Sequence, residues 1–297
     1  MAERNENFGN LGAGGRLVAT VALRTRVTVY ALLGTGVCFS WLLLVLMAAR
    51  SAMISGPGPA GPGADALQLL SELPWPAFFD RLVGLCLGAA VQDAAYAGRF
   101  AVLTSMWFLM AIAMMLPSAA PMIRTYCEIA DTAMGKGECV VHPAVLVGGY
   151  LIVWLAASLG FAFLTYVAQA MTGSAVAPLR GVAAAAALAI AGLYQFSGLK
   201  EACLRKCRNP FNILFARWSV RPSRIFVLGL EQGLWCLGCC WALMLVMFAV
   251  GIMNLFWMAL IGLFTVVEKQ VSGRIPSLVV GGILLVWATM LLLSQAL

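Results

Sequence analysis

Three cysteines fall within five residues, Cys236, Cys239 and Cys240, in the apolar run GLWCLGCCWALMLVM. On a helix, Cys236 and Cys240 stack on one face and Cys239 lies beside them. Met244 and Met247 continue that side over the next two turns. A second pair, Cys203 and Cys207, is spaced so that helical backbone would hold its β-carbons about 5–6 Å apart. Met106, Met110 and Met114 repeat every four residues, followed by Met115 and Met122, and Met253 and Met258 come later. Thiolates and thioethers are soft donors that favour Cu(I), and thiolates also suit zinc. Zinc normally draws on Cys, His and carboxylate. A sequence with nine Cys, 15 Met and one His therefore fits Cu(I) better than zinc. Thioethers also bind without losing a proton, whereas a buried thiol resists ionising because desolvation penalises the thiolate.

The expected metal ligands are Cys236, Cys239, Cys240, Cys203, Cys207, Met114, Met115 and Met244, with Glu231, Met110, Met122 and Met253 as accessory candidates. Glu231 is open to three readings: pairing with a cation, coordinating an ion, or reaching the interface near Arg224. Two charged pairs, Lys200 with Glu201 and Glu268 with Lys269, end apolar runs and read as interfacial anchors. His142 precedes Pro143 and reads as a surface cap. Cys38 and Cys86 stand alone and read as small buried hydrophobes. No P-loop, GxSxG or HExxH pattern occurs, and one histidine leaves no material for a His-based triad. Two alternatives to metal handling stay open. The CxxCC group could exchange electrons as a thiol-redox protein, or the sulfur residues could only pack within a structural or assembly subunit of a membrane complex.

The elements that must position these residues are long and apolar. Of the 297 residues, 62% are hydrophobic and 10% charged, against about 45–50% and about 25% in soluble domains. A helix crosses a bilayer with about 20 apolar residues. The pattern predicts an all-α bundle of about seven spans, at 27–49, 100–122, 141–170, 182–199, 225–249, 252–267 and 275–295. A disordered basic tail (1–26) precedes them. A flexible outer loop (51–99) contains the Gly/Pro-rich SGPGPAGPGAD and an amphipathic surface segment. A basic loop (200–224) follows the fourth span. Pro117 and Pro121 should kink or end the second helix. Gly251 and Asn254 should reverse the chain within the long apolar stretch from Ile225 to Val267. The formal charge of +7 is spread between apolar runs, so anionic lipid explains it better than nucleic acid. With a cytoplasmic N-terminus, 15 of the 19 Lys and Arg fall on the cytoplasmic side, as the positive-inside rule requires. A multi-pass protein of the bacterial cytoplasmic (inner) membrane is expected.

Three stretches together resemble the bacterial family of predicted metal-binding integral membrane proteins, which includes proposed copper chaperones. They are WFLMAIAMMLPSAAPM (Trp107 to Met122), GLYQFSGLKEACLRKCRNP (Gly192 to Pro210), and GLEQGLWCLGCCWALMLVMFAVGIMNLFWMA with the EK that ends at Lys269. The resemblance covers most of residues 100–270 and adds nothing for the first 100. It implies that Met114, Met115, Pro117, Pro121, Met122, Lys200, Cys203, Cys207, Cys236, Cys239, Cys240, Met244, Met253, Asn254 and Glu268 hold motif positions. The role expected from ligands and resemblance together is non-enzymatic handling of Cu(I), for delivery to a copper-enzyme client or across the membrane, with a copper-enzyme client or a soluble copper donor as partner. Family members often carry His just before the Gly that precedes the Cys group; here that residue is Gln232.

Overall fold

A proline inside a helix removes one backbone donor and frees the carbonyl four residues earlier. In the computed structural model, which describes residues 25–55, 96–170, 177–252 and 254–296, the helix containing Pro117 and Pro121 does not end there. It runs from Tyr96 to Gly135, 13 residues beyond the expected end at Met122. The carbonyl of Ala113, orphaned by Pro117, accepts a hydrogen bond from Trp41 Nε1 at 3.2 Å. A neighbouring helix thus restores what proline removes, as is usual in membrane helices.

Nine helices make up the described residues: α1 (Thr25–Ser55), α2 (Tyr96–Gly135), α3 (Pro143–Ala170), α4 (Ala177–Gln195), α5 (Gly198–Arg208), α6 (Pro210–Ala216), α7 (Pro222–Val250), α8 (Leu255–Gln270) and α9 (Ile275–Ala296). Among the described residues there is no strand. Five helical stretches are long and apolar enough to cross a membrane: Val29–Ala49, Gly98–Gly135, Pro143–Gln169, Pro222–Val250 and Ile275–Gln295. A sixth crossing is available if Gly181–Gln195 and Gly198–Arg208, bent by 64°, act together. All seven expected spans are helices, but α8 has only 16 residues. That is about 24 Å, short of the roughly 30 Å hydrocarbon core. The tail at 1–26 and the loop at 51–99 lie almost wholly outside the described residues, as do Cys86 and Met253.

Two further expectations change. Residues 196–199, assigned to the end of the fourth span, are instead the bend (196–197) and the first residues of α5 (198–199). Ser197 caps α5 by accepting from the Lys200 amide at 3.1 Å. Residues 200–216, read as a basic loop, are mostly the short helices α5 and α6. The amphipathic spacing of GLKEACLRKCR explains this: Lys200, Cys203 and Leu204 turn inward while Arg205 and Lys206 face outward. The reversal at Gly251 and Asn254 is as expected. Gly251 has φ of 101°, a conformation that costs a side-chain-bearing residue, and Asn254 Oδ1 caps α8 by accepting from the Trp257 amide at 3.3 Å.

At the centre, α7 packs against α3, α4, α5 and α8, while α2 packs against α1, α3 and α8. The α3–α7 crossing is close because Gly149 and Gly229 face each other's helix; a β-carbon on Gly229 would collide with the carbonyl of Leu146. Outward positions stay apolar: Leu32, Phe163, Leu263, Ile283 and Leu293 are all more than half exposed. So wide an apolar exterior is foreign to soluble monomers and suits lipid. Cys38, expected to be buried, is part of that exterior.

Candidate metal centre

A helix that carries thiols at i, i+3 and i+4 brings them together without long-range contacts. In α7 the sulfurs of Cys236, Cys239 and Cys240 lie within 4.8 Å of one another, all three buried. An ion bonded at about 2.3 Å to each thiolate requires sulfurs no further apart than about twice that bond, so the group needs little adjustment to hold one. The Cys239 and Cys240 thiols both donate to the Cys236 carbonyl, at 3.1 and 2.9 Å, which sets their rotamers toward Cys236.

Helix α5 adds two more thiols. Cys207, partly buried, lies close enough to Cys239 for the two thiols to interact. Cys203, 4% exposed, rests on Gly238, where a β-carbon would stand 2.7 Å from its sulfur. The absence of a side chain at 238 therefore lets α5 dock. The Gly238 carbonyl accepts from the Tyr194 hydroxyl of α4, so the same turn of α7 also anchors the preceding helix.

What holds α5 in place is a buried ion pair. Lys200 Nζ lies 2.7 Å from Glu268 Oε1, with both side chains 1% exposed. Gln195 Oε1 also accepts from Lys200, and Ser277 Oγ donates to Glu268 at 2.6 Å. Arg208, at the other end of α5, donates to the carbonyls of Glu268 (2.8 Å) and Gly273 (2.9 Å). The interfacial-anchor reading of Lys200 and Glu268 is thus corrected: they meet in the core. A charge removed from water needs a partner, and each supplies the other's. Glu201 does stay near the surface, 3.7 Å from Arg274.

Lys269 is corrected too. Its ammonium donates to Ser118 Oγ at 2.7 Å and to Cys236 Sγ at 3.0 Å, so it points into the thiol group. The Tyr150 hydroxyl of α3 is 3.1 Å from the same sulfur and 3.1 Å from the Met115 carbonyl. Ser118, Tyr150 and Lys269 are site neighbours that the motif reading missed. The available signal was generic: polar and ionisable groups inside spans are functional candidates.

The remaining expected residues are distributed as follows. Met110, Met114, Met115 and Met244 are fully buried, and Met122 is nearly so. Glu231 pairs with Arg217 near the surface, the first of its three readings. His142 is exposed, and its Nδ1 accepts from the Ala144 amide at 3.1 Å, a local cap at the start of α3. Gln232, one turn before Cys236, is 3% exposed, and its amide nitrogen has no hydrogen-bond partner among the described residues.

A bundle with five or six helices long and apolar enough to cross a membrane, and a buried three-cysteine cluster that could hold a metal ion, is consistent with a multi-pass metal-binding protein. The model of the PpoB2 copper chaperone family matches residues 104–291, well over half the chain, and the chain belongs to that family. No curated protein and no solved structure matches it.

Proposed function

We propose that this is a membrane-embedded carrier of Cu(I) that takes the ion at clustered thiols and passes it to a partner, without catalysing a reaction. The thiol site uses Cys236, Cys239 and Cys240, with Cys203 and Cys207 of α5 as the receiving pair. Met114, Met115 and Met244 supply thioether donors as the ion leaves. The observation that carries this reading is the docking of α5 on α7, which seats the Cys203 sulfur against Gly238, between Cys236 and Cys239 in the chain. Soft monovalent ions prefer such donors. Ligand exchange between neighbouring sulfurs moves an ion without a water-filled pore.

In the proposed topology the N-terminus and α5 face the cytoplasm of a bacterial inner membrane. A soluble copper donor would meet Cys207 first, because Cys207 is only partly buried while Cys236, Cys239 and Cys240 are inside. The recipient would be a copper enzyme of the membrane or the outer side. The test is anaerobic Cu(I) titration of detergent-purified protein. Changing Cys236, Cys239 and Cys240 together to Ser should abolish the tightest binding; unchanged stoichiometry and affinity would reject this site.

A further inference from the structure

Two cross-links set the register of α2 against α7. At one level Lys269 joins Ser118 to Cys236, and Tyr150 joins the Met115 carbonyl to the same sulfur. At the other, the Trp107 ring stacks on Phe248 with centroids 5.4 Å apart. Eleven residues of α2 and twelve of α7 separate these levels, so the two helices run antiparallel and in step between them. Met114 and Met110 of α2 lie in that interval, as do Met244 and Met247 of α7. Helix α8 closes the third side. A β-carbon on Gly262 would touch Met114 at 3.5 Å, and Met258 lies one turn before Gly262. All five Met side chains are at most 1% exposed.

By this register, five buried methionines from three helices fall at levels between the thiol group and the Trp107–Phe248 stack. Leucine would fill the same volume with better-defined rotamers, and methionine specifies packing poorly. Its distinguishing property is a sulfur lone pair that needs no deprotonation.

We infer that Met110, Met114, Met244, Met247 and Met258 form a second metal site, made of thioethers alone, that takes a soft monovalent cation, Cu(I) or Ag(I). It lies on the side of the thiol site toward the Gly251 reversal. It deepens the carrier reading by giving the ion a resting place after the thiols, where release needs no proton. It excludes zinc, which thioethers hold weakly.

The experiment labels every methionine with selenium and loads the full-length protein with Ag(I). X-ray absorption at the selenium edge then reads selenium–silver scattering directly. A silver shell around selenium is expected, in the wild type and in the variant with Cys203, Cys207, Cys236, Cys239 and Cys240 all changed to Ser. In that variant, Met110→Leu, Met247→Leu and Met258→Leu together should weaken Ag(I) by about tenfold or more, with Leu keeping the packing volume. Affinity in the variant should also stay flat with pH, since no ligand loses a proton. Loaded wild-type protein without a silver shell at selenium overturns the second site, whatever the cysteine variant does. Cu(I) stoichiometry and affinity left unchanged by the Cys236, Cys239 and Cys240 to Ser variant would instead reject the thiol site, so the two failures are distinct.

Discussion

Sulfur atoms that share an ion must approach one another, yet thiolates so placed repel until a cation arrives. At the thiols of α7 that role falls in part to Lys269 of α8, whose ammonium touches Cys236 Sγ. The cationic tether lies where a metal would be shared, so the resting protein already offers compensating charge to a sulfur anion. Gln232 faces the same interior one turn away, with an amide nitrogen that lacks a partner among the described residues. An amide is a poor soft-metal ligand, whereas an imidazole is a good one. Gln232→His should therefore raise Cu(I) affinity by about tenfold, read by competition with a Cu(I) chelator. Unaltered affinity would mean that position 232 faces away from the ion.

The element that matters most is α5, the short helix bent back after α4. It brings Cys203 and Cys207 to α7 only while Lys200 and Glu268 remain paired in the core. Removing one member of such a pair strands a charge and costs about 3–5 kcal/mol, while removing both with apolar replacements costs little. Glu268→Gln should lower the thermal unfolding midpoint in detergent and release α5, so that Cys203 alkylates rapidly. The double change Lys200→Met with Glu268→Leu should recover most of the midpoint. Equal melting of the single variant and the wild type would show that the pair does not hold α5.

For the molecule as a whole, the basic residues of the described helices gather at one end of the bundle. The end of α8, the whole of α5 and the start of α9 meet at one end, tied by Arg208 to Glu268 and Gly273. That end carries most of the positive charge, which the positive-inside rule assigns to the cytoplasm. Cys139, exposed between α2 and α3, lies on that side in the proposed topology. In a variant keeping only Cys139, an impermeant maleimide should label inverted vesicles and leave intact cells unlabelled. Labelling of intact cells would reverse the orientation.

The linear chain was enough to establish the helical class, the reversal at Gly251 and Asn254, and the three-thiol group. Each of these depends on contacts within a few residues: apolar length, a φ that glycine tolerates, and the 3.6-residue turn. Tertiary structure decided the rest. Helix α2 continues through Pro117 and Pro121 because Trp41, 72 residues away from Ala113, satisfies the freed carbonyl. Lys200 and Glu268 leave the surface because each meets the other's charge only after α5 folds onto α8. Cys203 reaches Gly238, and Lys269 reaches Cys236, through packing that no local periodicity encodes. Local geometry determined which residues could bind a soft ion, and the long-range burial of charge and apolar surface decided which of them meet.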